Sequence, residues 1–227
     1  MISFVGAGPG APDLITLRGR DRLSVAEIVI WASSLVPAAL LDVVPEDAKR
    51  FESQSMTLED VLQIYREHRT ARIVRLHSGD PSVYGAIQEQ IDACIAEEIA
   101  FEIVPGVTSV AAVAAVIGRE LTIPGVSQSV VFTRMAGKTA ASMPPGESVA
   151  AYARTGGTLG IFLSATHPTD LQAELLCEGS AFSSSTPAVV AVRATWPDEE
   201  IVWTTVGELA ATIKETGARR TLLVVVG

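Results

Sequence analysis

RIVRLHSGDPSVYG, Arg72–Gly85, is the stretch on which the reading of the fold turns. Ile73 to Leu76 is a β-branched and aliphatic run without a turn residue, which predicts a buried strand. The chain then turns at Ser78-Gly79-Asp80-Pro81, and Val83, Tyr84, Ile87 and Ile91 recur at helical spacing. The reading is strand, tight loop, helix. In an open parallel sheet, ligands bind where strands end and helices begin, because backbone amides and the positive end of the helix dipole converge there. Gly79 lets a ligand approach the main chain, Asp80 accepts from a hydroxyl pair or an amine, and Pro81 suits a first helical turn. Asp80-Pro81 as a plain helix cap explains the same residues, and read alone they support either account equally.

Two further stretches repeat the arrangement. Ile2 to Val5 is a short apolar run that passes directly into GAGPGAPDLIT, Gly6–Thr16, and predicts a first strand ending in a glycine-rich turn. Ala100 to Val104 predicts a strand that stops at Pro105-Gly106, with Thr108 or Ser109 capping an alanine-rich helix to Ile117. A nicotinamide or flavin site is the main competitor for the glycine turn, since Gly6, Gly8 and Ala11 satisfy a permissive dinucleotide fingerprint. Pro9 and Pro12 weigh against it, because proline offers no amide to a pyrophosphate. So does the next strand, Glu27 to Trp31, which ends in Trp31-Ala32-Ser33-Ser34 with no acidic residue for a ribose.

Taken together, SGDPSVYG, GAGPGAPDLIT and VPGVTS resemble the signature set of the tetrapyrrole methylases, the class III S-adenosylmethionine-dependent methyltransferases of corrin and sirohaem synthesis. The motifs stand in the family's order and spacing, so the resemblance covers most of the chain. WASSLV, RLH before SGDP and TRMAGKT resemble the branch that methylates precorrin-4 at C11. The resemblance implies S-adenosylmethionine as co-substrate, held by Pro9, Ser78, Gly79, Asp80, Val83, Thr108 and Ser109, with Leu163 and Ala194 as main-chain contacts from the C-terminal half. It also implies a polyacidic tetrapyrrole acceptor and a homodimer. In some relatives, such as the uroporphyrinogen methylases, an Asp stands where this chain has Ser33, so a carboxylate base at that position is not expected here.

Bulk properties fit a compact protein. The 227 residues carry 48% hydrophobic and 19% charged side chains, ample for a core. A formal net charge of -9 argues against nucleic acid as a partner, which needs a basic surface. Cys94 and Cys177 lack metal-ligand spacing, and His68, His77 and His167 are scattered, so no metal is expected. The longest apolar stretch, Val110 to Ile117, is too short for a bilayer and no secretory signal is visible, which leads to the expectation of a cytoplasmic protein without a membrane partner.

Elsewhere, Thr16 is read as the cap of a helix with Leu17, Leu23 and Val25 inward and Arg18, Arg20 and Arg22 solvated, followed by a polar region to Ser55 and a helix from Thr57 to Arg69. Leu121 to Val126 reads as the boundary between an N-terminal lobe, 1–120, and a C-terminal lobe, 121–227. Beyond it, strands are expected at 129–133, 159–163, 188–192, 200–204 and 221–226, with helices between. The expected fold is therefore α/β, with a mainly parallel sheet first, a mixed sheet second and an active-site cleft between two lobes. A polyacidic acceptor needs deliberately placed cations, and Arg18, Arg119, Arg134 and Lys138 are the residues read in that role, each also explicable as a solvated charge. No pattern identifies a catalytic base; Tyr84 and Ser33 are the candidates.

Overall fold

The structure, a computed structural model, describes residues 1–136, 140–144 and 146–227. The chain forms two compact units, Met1–Ser109 with Thr195–Pro197, and Val110–Ala194 with Asp198–Gly227.

The first unit is a five-stranded parallel sheet. Its strands are β1 (Ile2–Gly6), β2 (Ile28–Trp31), β3 (Lys49–Glu52), β4 (Ile73–His77) and β5 (Phe101–Val104), in the spatial order β3-β2-β4-β1-β5. The connections carry α1 (Leu17–Ser24), α2 (Leu58–Glu67) and α3 (Gln88–Ala96). Strand alternation sorts the side chains by face. Ile2, Phe4, Ile28, Ile30 and Ile73 pack with Val61, Ile64 and Tyr65 of α2 and with Ile91 and Cys94 of α3. Val5, Val29, Val74 and Leu76 face the other way, onto Leu23 of α1 and Leu40 and Leu41.

The second unit holds α4 (Ser109–Val116, from Val110 onward), β6 (Val130–Arg134), α5 (Val149–Ala153), β7 (Thr158–Phe162), α6 (Pro168–Leu175), β8 (Pro187–Val192), β9 (Glu200–Thr205), α7 (Leu209–Glu215) and β10 (Leu222–Val226). Its sheet runs β6-β7-β10-β8-β9 and is mixed: β6 and β7 are parallel, while β10 is antiparallel to both β7 and β8, and β9 to β8. A parallel sheet followed by a mixed one is what the sequence predicts. No helix among the described residues is long and apolar enough to cross a membrane.

Several local expectations are corrected. The units divide between Ser109 and Val110 rather than at 120/121, because Val110 and Val113 bury against Val189, Ala191, Leu223 and Val225 of the second unit. The region before Ser55 contains β3, an edge strand whose residues KRFE are mostly exposed; its charges suit an edge and conceal the strand from apolar patterning. Thr16 does cap α1 by accepting from the Gly19 amide, but Leu17 is 79% exposed and Val25 is exposed as well, so Leu23 alone of the three is buried. Arg22 is not merely solvated: it pairs with Glu102 of β5. The helix after SGDP starts at Gln88, not at Pro81, because Tyr84 and Ala86 hold left-handed backbones at φ +54° and +50° that no helix accommodates.

Candidate functional site

β1 lies between β4 and β5, so the loops that leave the carboxyl ends of these three strands are neighbours. They interlock through backbone. Gly8 and Gly79 exchange hydrogen bonds, Gly79 N–H to Gly8 O at 2.8 Å and Gly8 N–H to Gly79 O at 3.2 Å. A Cβ on Gly6 would lie 2.6 Å from Gly106 Cα, and one on Gly106 would lie 2.2 Å from Gly79 O. Only glycine permits three main chains to come this close.

Asp80 fastens the arrangement. The Gly106 amide donates to its Oδ2 at 2.7 Å, while the Ser82 amide donates to Oδ1 at 2.8 Å and the Ser82 hydroxyl bonds the same oxygen. Burial opposes the carboxylate, but the Ser82 and Gly106 donors outweigh it and hold the pKa below the usual range. The side chain read from the sequence as a ligand acceptor thus has both oxygens engaged within the protein. A Cβ on Gly79, whose φ is +67°, would sit 3.8 Å from Ser109 N and 3.9 Å from Thr108 Cα and Val107 O, so Gly79, Thr108 and Ser109 converge on one spot. Ser78 and Val83 flank it, half-buried.

The glycine loop after β1 gains two partners that sequence reasoning missed. Thr195 Oγ1 accepts from the Ala11 amide at 2.9 Å, and Trp196 Nε1 donates to the Pro9 carbonyl at 3.0 Å. The only signal was their position in ATWP, directly after Ala194. Pro12–Leu14 is a single 3-10 turn and α1 begins only at Leu17. The loop therefore does not open a helix as a dinucleotide fingerprint would.

Position 33 also acquires a carboxylate that sequence reasoning did not expect. Glu52, at the end of β3, accepts from the Ser33 amide at 3.0 Å and the Ser33 hydroxyl at 3.2 Å, and from the Gln54 amide at 3.0 Å. The Ser33 amide is the main reason Glu52 titrates below the ordinary glutamate range. The Ser33 hydroxyl thus donates to an ionised carboxylate.

Beneath the SGDP turn lies a buried polar group. His77 is 7% exposed, hydrogen-bonds the Gly85 backbone, and has a pKa pushed down to about 3, chiefly by burial and secondarily by the Arg75 charge. Its Nε2 has no hydrogen-bond partner among the described residues. Arg75 donates to Ser53 Oγ at 2.7 Å, and Tyr65 O–H donates to Gln90 Oε1 at 2.8 Å. Tyr84, above them, is 46% exposed.

In the second unit, Leu163 follows β7 with φ +53° and 60% exposure, and Ala194 is buried in the cluster around Val189 and Leu223. Arg134, at the carboxyl end of β6, donates to Ser142 Oγ at 2.9 Å and to Met135 O at 3.4 Å. Arg119 lines a cavity of about 260 Å³ with Trp203, Leu121 and Thr158. Thr158 starts β7, whereas Arg134 is in register with Phe162 at its end, so the two arginines stand at opposite ends of that strand. Arg18 is exposed on α1, and Lys138 lies outside the described residues.

The family model for Tetrapyrrole (Corrin/Porphyrin) Methylases matches residues 1–210. The precorrin-4 C(11)-methyltransferase of Sinorhizobium sp is 41% identical over all of this chain and 88% of its own length. The cobalt-precorrin-4 C(11)-methyltransferase of Methanocaldococcus jannaschii is 40% identical over all of this chain and 86% of its own. Among solved structures, a cobalt precorrin-4 methyltransferase of cobalamin biosynthesis superposes with TM-score 0.92 at 39% identity, covering the whole chain and 94% of that one. The uroporphyrin-III C-methyltransferase of Thermus thermophilus, complexed with S-adenosylhomocysteine, gives 0.82 at 27% identity, covering the whole chain and 91% of that one. A family model matched over residues 1–210, with relatives about 40% identical along the whole chain, places this protein in the tetrapyrrole methylase family.

Proposed function

We propose that this protein transfers a methyl group from S-adenosylmethionine to C11 of precorrin-4, in corrin-ring biosynthesis, giving precorrin-5 and S-adenosylhomocysteine. The observation that carries the reading is the convergence of Gly79, Thr108 and Ser109 beside an interlocked Gly6–Gly106 contact, in a chain 41% identical to a precorrin-4 C(11)-methyltransferase. The donor supplies an electrophilic methyl; the carbon–carbon bond forms as the carbon–sulfur bond breaks, sulfur keeps the electron pair, and the acceptor later loses a proton.

That chemistry asks for placement more than for a covalent residue. Well-oriented reactions reach effective molarities of about 10⁵ to 10⁸ M. Backbone fixed by glycine contacts meets the demand, because main chain held at three points has little freedom to lose. The donor contacts we assign are Pro9, Ser78, Gly79, Asp80 through its main chain, Val83, Thr108 and Ser109, with the backbones of Leu163 and Ala194. The acceptor's acid groups are assigned to Arg134, Arg18, Lys138 and Arg119; Arg119 stands at the far end of β7 from Arg134. We further propose that the enzyme works in the cytoplasm as a homodimer.

Titration with S-adenosylhomocysteine against NAD and NADP tests the donor, with binding expected for the first alone. Turnover of purified precorrin-4, with the new methyl mapped to C11, tests the acceptor; a methyl at another carbon would refute the assignment. A cobalt-containing acceptor is the second reading, favoured by the 40% identity to the Methanocaldococcus jannaschii enzyme. Parallel turnover of both intermediates decides between them.

A further inference from the structure

Residues Pro81–Ala86 carry more backbone strain than a simple turn requires. Tyr84 and Ala86 both sit in the left-handed region, which a Cβ disfavours. Gly85 between them is packed so closely that a Cβ would lie 2.2 Å from the Pro81 carbonyl oxygen. A segment like this persists only where its surroundings over-determine it.

Those surroundings are buried and polar. Gln90 of α3, 5% exposed, donates Nε2 to the Ala86 carbonyl at 3.0 Å. Its Oε1 accepts from Tyr65, a phenol with no exposure at all. His77, at the end of β4, hydrogen-bonds the Gly85 backbone. Two adjacent residues of the strained segment are therefore held from below by side chains that themselves have almost no access to solvent. The segment presents the Tyr84 ring outward, exposed along with the small Ser82 and Ala86 while Val83 and Gly85 are half-buried.

We propose that Gln90, backed by Tyr65, and His77 are positioning residues for methyl transfer, holding the Tyr84 ring where it packs against the flat, conjugated acceptor. The inference rests on the methyltransferase reading above. An aromatic ring carried on a rigid backbone gains from stacking on a conjugated macrocycle, and it loses that gain when its backbone can wander. Gln90 and His77 act through Tyr84, and the double-mutant cycle below tests this for the Gln90–Tyr65 pair.

The cycle combines Gln90→Met with Tyr84→Ala, reading KM for the tetrapyrrole, kcat, and S-adenosylhomocysteine affinity by calorimetry. Gln90→Met is expected to raise the acceptor KM about tenfold while donor affinity stays within about twofold. In the Tyr84→Ala background the same substitution should change the acceptor KM by less than about twofold, because the group being positioned is gone. Equal factors in both backgrounds, or no effect in either, overturn the proposal. If Gln90→Met does not fold, Tyr65→Phe, which deletes one hydroxyl, goes through the same cycle with an expected effect of about threefold and the same criterion. Wild-type protein that binds no S-adenosylhomocysteine and methylates no tetrapyrrole would instead refute the methyltransferase reading, and this inference with it.

Discussion

At the scale of single residues, the two buried ionisable groups of the SGDP region titrate in separate windows. His77 has a folded pKa of about 3 against an ordinary value of 6.5, so below 6.5 the unfolded chain binds a proton that the native protein refuses. Stability is therefore full above 6.5 and falls as the pH drops toward 3. By about pH 5 the loss reaches about 2 kcal/mol. Asp80 has the opposite kind of charge and a lowered pKa, so its contribution is present above the ordinary aspartate range and disappears only as the pH falls through the depressed folded value. His77→Gln should flatten urea-measured stability between about pH 6.5 and about pH 5 and leave the later acid loss in place. A slope unchanged by the substitution would show that another group carries it. Asp80→Ala leaves the Gly106 and Ser82 amides without their acceptor, and charge-assisted hydrogen bonds of this kind are each worth about 1.5 to 3 kcal/mol. The expected cost is about 3 kcal/mol at neutral pH, with S-adenosylhomocysteine affinity lowered at least about tenfold as the loops separate, both measurable on the same variant.

At the scale of elements, glycines separate into those that must be small and those that must turn. Gly106 would place a Cβ 2.2 Å from Gly79 O and 2.8 Å from Gly6 Cα, all of it backbone that cannot give way. Gly125 meets nothing within 4 Å and requires only φ +78°. Gly125→Ala should cost about 1 kcal/mol, the ordinary penalty for a left-handed alanine, and leave donor binding intact. Gly106→Ala should cost more than about 3 kcal/mol and abolish donor binding, as read by chemical unfolding and calorimetry. The same contrast explains what the sequence could disclose. β1 and β4 are legible because buried parallel strands read as apolar runs, β5 because its edge position still carries Phe101, Ile103 and Val104, and their glycine-rich ends mark the site. β3 is not, since an edge strand pairs on one side and keeps its charges. The late start of α3 is hidden because Tyr84 and Ala86 adopt a glycine-like backbone without being glycine. The engagement of Asp80 Oδ2 by Gly106, and the approach of Thr195 and Trp196 to the loop after β1, join residues 26 and more than 180 positions apart, which no local pattern reports.

At the scale of the whole molecule, a chain of net charge -9 is assigned a polyacidic acceptor, and two electrostatic effects compete. Global repulsion, if it dominated, would make the acceptor KM fall as salt screens it. Local attraction by placed cations predicts the reverse, a KM that rises with salt, because short-range pairs at a site outweigh a diffuse charge spread beyond the Debye length of about 10 Å at 0.1 M. Arg134 is the cation assigned to the second outcome: its guanidinium is held by Ser142 Oγ and Met135 O at the carboxyl end of β6, and its planar geometry suits a carboxylate. Arg134→Ala should raise the acceptor KM about tenfold at about 0.05 M salt and much less at about 0.5 M, with the donor KM unchanged. A wild-type KM that falls with salt, or an Arg134→Ala effect independent of salt, would mean that the acid groups are met elsewhere. The donor KM is the internal control, because a substitution that loosened the fold as a whole would move both constants together.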